Sequence, residues 1–212
     1  MGIQPVETAH KFRADAARNR ERLLKAATAV FSVGGADASL EAVARRAAVG
    51  IGTLYRHFPT REALFEAVYR HEVQHLSELA DQLKDEAKPV EALRQWLRSA
   101  VEFVATKKGM VAALALAVAG SSELRAHSFE QLTKAASVLL DRAVAAGEIR
   151  SDIQPENLVR ALVGMCYMHH QPGWQASVVR LMDILVDGLR LPVKISKANN
   201  AGAVKRARSK RD

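Results

Sequence analysis

Residues 39–58 read SLEAVARRAAVGIGTLYRHF, and the placement of their apolar side chains decides the fold. Leu40, Val43, Ala44, Ala47, Val49 and Leu54 supply the kind of apolar seam that holds two short helices at a fixed angle. Ser39 is a candidate N-cap for a helix over Leu40 to Arg46, residues 47–50 form a tight connection, and Ile51 to His57 forms the next helix. Ala44 is small enough for that helix to sit close. With Leu54 and Phe58 turned inward, Thr53, Tyr55, Arg56 and His57 face solvent or a groove, which is the geometry of a short helix reading base edges from its N-terminal half. Short apolar helices in series, with no nucleic acid involved, produce the same pattern.

Working outward, Leu23, Leu24, Ala27, Val30 and Phe31 recur at helical spacing, giving a first helix from about Arg18 to Val33 that Gly34 and Gly35 stop. Thr60 caps a long fourth helix. Further helices are predicted at 90–106, 109–119, 123–146, 155–169 and 174–191, between scattered prolines and with no alternation of period two. The expected class is all-α, with about nine helices: a three-helix helix-turn-helix domain followed by a larger helical domain.

The stretch from Arg18 to Tyr69, RNRERLLKAATAVFSVGGADASLEAVARRAAVGIGTLYRHFPTREALFEAVY, closely resembles the DNA-binding domain of the TetR family of bacterial transcriptional repressors, and the run GTLYRHFPTREALF is specific to it. The resemblance implies that Ile51 to His57, including Gly52 and Arg56, is the recognition helix. It places Thr53 and Tyr55 at bases or phosphates, and His57, Thr60 and Arg61 at backbone phosphates. Ser39, at a helix N-terminus whose amides and dipole favour an anion, also faces phosphate in this reading. The family usually has glycine where Ala48 stands, so a strained turn is expected. Gly50 and Ile51 replace the usual polar start of the recognition helix, which shifts base readout towards apolar contact and close backbone approach.

The composition, 212 residues with 49% hydrophobic and 25% charged, is that of an ordinary globular chain. No run approaches the roughly 18 apolar residues of a membrane span. The start of the chain lacks the apolar centre of a secretory signal, and the single cysteine, Cys166, cannot close an intrachain disulfide. A soluble cytoplasmic, nucleoid-associated chain is expected. The net charge of +8 is uneven. Residues 194–212 hold seven Lys/Arg against one acid, residues 1–58 nine against five, and residues 59–193 fifteen against seventeen. The expected organisation is a flexible basic arm over 1–17, the helix-turn-helix domain over 18–59, a ligand-binding and dimerisation domain over 60–193, and a disordered basic tail over 194–212. Basic residues ahead of the first helix, Lys11, Arg13, Arg18 and Arg20, suit phosphate or a flanking minor groove.

Two patterns point towards metal. His71-Glu72-Val73-Gln74-His75 matches H-E-x-x-H, in which two His one turn apart bind zinc and Glu serves as general base. A zinc-dependent hydrolase is therefore the alternative function, but the chain offers no third ligand motif and no strand to form a substrate edge. Cys166, His169 and His170 share a helix face at a spacing that suits a soft metal, a ligand cavity or an ordinary buried thiol. With no phosphate loop, nucleophile elbow or acid/base pair, neither catalysis nor a cofactor or resident metal is expected.

Helices from Val90 onward are apolar on more than one face. Val159 and Val163 on one helix, and Val178, Leu181, Met182, Leu185 and Leu189 on the last, are assigned to a partner-facing surface, which the resemblance implies is a four-helix homodimer interface. Trp96, Phe103, Met110, Leu114, Phe129, Met165, Cys166 and His169 are assigned to a pocket for a small apolar or aromatic effector, although the same residues suit a filled core. The resemblance further implies operator DNA as partner, and an effector that shifts the fourth helix to release a repressor.

Overall fold

Pro5, Pro89 and Pro155 each stand at the first residue of a helix, where proline's missing N–H is no loss and its fixed φ is already helical. The computed structural model describes residues 5–34, 38–114, 122–168, 171 and 173–192. They form α1 (Pro5–Gly34), α2 (Leu40–Arg46), α3 (Ile51–His57), α4 (Arg61–Leu83), α5 (Pro89–Leu114), α6 (Ser122–Ala145), α7 (Pro155–Met168) and α8 (Trp174–Leu189). Among the described residues the only β pairing is an isolated bridge between Ile149 and Arg190.

Two differences from the sequence reading have simple causes. Residues 5–17, expected as a flexible arm, continue α1 as helix, because nothing between Pro5 and Gly34 breaks an alanine- and arginine-rich run of good helix formers. The helices expected at 90–106 and 109–119 are joined as α5, since Gly109 inside a helix costs only about 1 kcal/mol relative to alanine and does not stop it. Eight helices stand among the described residues, close to the expected number of about nine. Residues 115–119 and the basic tail over 194–212 lie outside the described residues.

The short helices are held by their caps. Ser39 Oγ accepts from Ala42 N at 3.0 Å, and Thr60 Oγ1 accepts from Ala63 N at 3.1 Å, each satisfying an amide the helix itself cannot. α2 ends with Ala48 N donating to Arg45 O and Val49 N to Ala44 O, the paired bonds of a Schellman motif. Ala48 carries the left-handed conformation this motif requires, with φ of 51°. The strained turn expected at this alanine is present.

Two cores share one helix. Leu23, Leu24, Ala27 and Phe31 of α1 pack with Val43, Leu54 and Phe58, and α4 adds Leu64, Phe65 and Val68. Further along α4, Val73, Leu76, Ala80 and Leu83 belong to a second core with α5 to α8. The boundary expected at residue 59 thus falls inside α4 when drawn by packing. Within the second core, the buried Arg94 of α5 donates to Asp183 Oδ1 at 2.8 Å and to Asp187, fixing α8 against α5.

Candidate nucleic-acid interface

α3 has only seven residues, so its orientation depends on what it buries. Leu54 is 0% exposed and Phe58 nearly so, and both lie in the first core. One residue on, Tyr55 is 45% exposed, and Ile51, one turn earlier, is 38% exposed. One helical turn apart, the two form a small apolar patch on the outward side of α3. Gly52 and Arg56 are exposed beside them, while Thr53 and His57 are half-buried. Arg56 donates to Thr53 Oγ1 at 2.8 Å, so the two polar side chains of this face are already ordered against one another. A Cβ added at Gly50 or Gly52 would meet nothing within 4 Å. The fold does not need these glycines for packing; their effect is to keep the outer surface of the helix low.

The surroundings brace this helix. Arg20 of α1 lies 5.5 Å from the centre of the Phe58 ring, and Arg22 donates to Ala48 O at 3.3 Å in the turn before α3. Ser39 and Thr60 are exposed at their helix N-termini, where a phosphate is favoured. Arg61 is placed differently from the sequence reading. Its guanidinium donates to Ala38 O at 2.7 Å and lies over the Phe31 and Phe65 rings, which makes it a tie between α4 and the start of α2. Arg22 is a bracing residue that sequence reasoning missed, and Arg20, read from the sequence as facing phosphate or a minor groove, braces as well. Their alternation with Glu21 on a helix gave no sign of which would touch the turn.

The H-E-x-x-H residues serve the contact between α1 and α4. Thr28 donates to Glu72 Oε1 at 2.9 Å, His71 Nε2 lies 3.7 Å from Glu21 Oε1, and His75 is exposed. No cluster of three metal-ligating side chains occurs among the described residues. A Glu already accepting from a neighbouring hydroxyl and a His directed at another carboxylate do not resemble a general base beside a zinc ligand.

In the larger domain, Trp96 is fully buried with Nε1 donating to Leu76 O at 2.9 Å, and it shares the second core with Phe103 and Cys166. Phe129 and Met165 pack against that core. Phe129 lies under Arg160, 5.1 Å from its guanidinium. Burial pushes the Cys166 thiol up to about 12, against a smaller downward pull from Lys108, so at neutral pH it stays a protonated thiol and a poor metal ligand. Met110 and Leu114 lie on α5, and the residues described here do not include their side chains; His169 and His170 lie outside the described residues.

The partner-facing assignment needs correction. Val159, Val178, Met182 and Leu189 are buried in the subunit's own core, and Val163 and Leu185 are half-buried at its edge. Only Leu181 of that set is exposed. The outward row of α8 is Leu181, Ile184 and, beyond the helix, Leu191, with Ile184 62% exposed, and α7 adds Tyr167 and Met168. The stripe read from sequence is the inner one. Both faces of α8 carry large apolar residues, and spacing alone does not say which meets the core.

Similarity to known proteins agrees with this geometry. Residues 23–68 match the family described as bacterial regulatory proteins, tetR family, and residues 88–191 match the family described as transcriptional regulator SbtR-like, C-terminal domain. The crystal structure of the TetR transcriptional regulator SCO0520 from Streptomyces coelicolor is 46% identical, covers 81% of this chain and 98% of its own, and superposes with a TM-score of 0.74. This chain belongs to the TetR family. A TetR transcription regulatory protein from Mycobacterium vanbaalenii is 34% identical over 85% of this chain and 99% of its own, with a TM-score of 0.68. Among curated TetR-like relatives, the repressor KstR of Mycobacterium tuberculosis is 29% identical over 135 residues, 63% of this chain and 61% of that one. The regulator UidR of Escherichia coli is 42% identical over 55 residues, 26% of this chain and 28% of that one. The chain therefore spans less than two thirds of the length of these curated relatives. The matched residues 23–68 include all of α3, whose outward residues are Ile51, Gly52, Tyr55 and Arg56.

Proposed function

We propose that this protein is a transcriptional repressor that binds a pseudo-palindromic operator as a homodimer and releases it when a small apolar or aromatic effector binds. The observation that carries the reading is the split of α3, with Leu54 and Phe58 in the core and Ile51, Gly52, Tyr55 and Arg56 outward. Two such helices, related by a two-fold axis, enter successive major grooves about 34 Å apart. Ser39, Gly50, Thr53, His57 and Thr60 complete the DNA-facing set, with Arg61 acting by holding α2 and α4 together. Operator binding would place the protein at the nucleoid in the cytoplasm; no helix among the described residues is long and apolar enough to cross a membrane.

Support for the dimer comes from the exposed Tyr167, Met168, Leu181, Ile184 and Leu191 on α7 and α8 and just beyond. Support for switching comes from α4, whose first two turns pack on the DNA-reading core and whose remainder packs in the effector domain. Its 23 residues span roughly 35 Å at 1.5 Å each, so a small tilt at one end becomes several ångströms at the other. The effector is assigned to the region of Phe103, Met110, Leu114, Phe129, Met165 and His169, beside the buried Trp96 and Cys166.

The test is a thermal-shift screen of apolar and aromatic compounds, followed by titration of any hit with and without DNA selected for binding. Reciprocity requires DNA to weaken the effector's affinity by the same factor by which the effector weakens DNA binding. A hit whose affinity is indifferent to DNA contradicts the switch.

A further inference from the structure

Away from the α3 surface, a cavity of about 450 Å³ opens where α1, α4 and α6 meet. Arg20 comes from α1, Arg70, His71 and Gln74 from α4, and His127 and Gln131 from α6. Every one of these side chains can donate a hydrogen bond, and among the described residues no carboxylate lines the cavity. The nearby acids lie at its edges: Glu66 accepts from Arg70 at 2.8 Å on an exposed helical turn, and Glu21 stands 3.7 Å from His71. An exposed pair of this kind contributes little and yields readily to a better partner. The volume falls in the range of small-molecule sites.

We propose that this cavity is a site for a small free oxyanion, a carboxylate- or phosphate-bearing metabolite, gripped by Arg20 and Arg70 and closed on the far side by His127. Guanidinium forks match both oxyanions in two-point geometry, and the amides of Gln74 and Gln131 supply neutral donors beside them. The site goes beyond the apolar effector region, since the described residues of that region, Phe103, Phe129 and Met165, line none of it.

Its position gives binding a consequence. Arg20 lies over the Phe58 ring, and Phe58 is the residue that ends α3. An anion drawing on Arg20 while held by His127 of α6 ties the DNA-reading domain to the effector domain one side chain away from the recognition helix. The DNA backbone is a less fitting occupant, because α6 supplies one wall and none of the exposed α3 residues Ile51, Gly52 or Tyr55 lines the cavity.

The experiment is calorimetric titration of the full chain, without DNA, with inorganic phosphate and separately with citrate, with sodium chloride holding ionic strength constant. Saturable binding of at least one probe is expected, and the tighter of the two identifies phosphate or polycarboxylate as the preferred chemistry. Arg70→Gln and His127→Gln should each weaken it at least tenfold, while Arg70→Lys retains part of the affinity. Far-UV circular dichroism and melting of each variant confirm that the fold survives, and a variant that fails this check is replaced by Gln131→Ala, for which a measurable loss is expected. No saturable binding of either probe, or equal binding in folded variants, overturns the proposal. Because DNA is absent from the titration, that failure leaves the DNA-binding reading untouched.

Discussion

Arg22 of α1 donates to the backbone oxygen of Ala48, and Ala48 is the one non-glycine residue among those described whose φ is positive. The bond at 3.3 Å reaches the turn that sets the angle between α2 and α3. A left-handed residue with a Cβ costs about 1–2 kcal/mol, and a side chain from the neighbouring helix helps to hold it there.

Ala48→Gly should accordingly stabilise the protein by about 1 kcal/mol, less whatever the glycine's added freedom removes from the unfolded side. Ala48 is exposed, so no packing is lost. Denaturant unfolding measures this directly. A decrease in stability would mean that the turn is not left-handed at residue 48.

Leu54→Ala and Tyr55→Ala should separate stability from DNA binding. Leu54 is fully buried, and its truncation should cost about 2–5 kcal/mol as a cavity mutation. Tyr55 is exposed, and its loss should leave the melting temperature within a few degrees while weakening DNA binding by tenfold or more. Melting curves and fluorescence anisotropy on DNA give the two readouts, and the reverse ordering of damage would show that α3 is rotated from its described phase.

Gly52→Ala makes an opposed pair of effects. Inside a helix the substitution gains up to about 1 kcal/mol, and the added Cβ meets nothing in the free protein. On DNA that methyl group stands where close approach is proposed. Higher stability with weaker DNA binding is expected, whereas unchanged affinity would place Gly52 away from the contact surface.

The helix-turn-helix was legible because its seam is local. Leu40, Val43, Ala44 and Leu54 fall within one stretch whose spacing admits a single inward phase, and Ser39 and Thr60 announce their caps by residue type. α8 was legible as a helix but not in its orientation. Val178 and Met182 face the core and Leu181 and Ile184 face out, yet all four are similar in size and hydrophobicity. What decides between them is Arg94, 89 residues earlier, which reaches Asp183 and so fixes the rotation of α8. Such a long-range pair leaves no periodic trace. The same holds for Arg22 and Ala48, and for the union of Arg20, Arg70 and His127 around one cavity.

The Arg94 clamp should also be sensitive to acid. Partial burial pushes the Asp183 carboxyl up, but hydrogen bonds and charge from Arg94 and Arg98 outweigh it and hold the group below the usual carboxylate range. A group depressed in the folded state contributes stability above its unfolded value, about 3.9, and loses it as pH falls through the folded value. Asp183→Asn should therefore cost about 1–3 kcal/mol at pH 7 and progressively less below about pH 4. Urea unfolding at several pH values tests this, and a penalty independent of pH would assign the loss to packing instead of charge.

The central claim is that the outward face of α3 reads a two-fold symmetric DNA sequence. Selection from random duplex DNA, followed by comparison of the enriched site with a scrambled duplex at one fixed salt concentration, tests it most directly. The account predicts two inverted half-sites about one helical turn apart and a preference of at least about a thousandfold, mostly abolished by Tyr55→Ala. No enriched symmetric site, or equal affinity for the scrambled duplex, would contradict it.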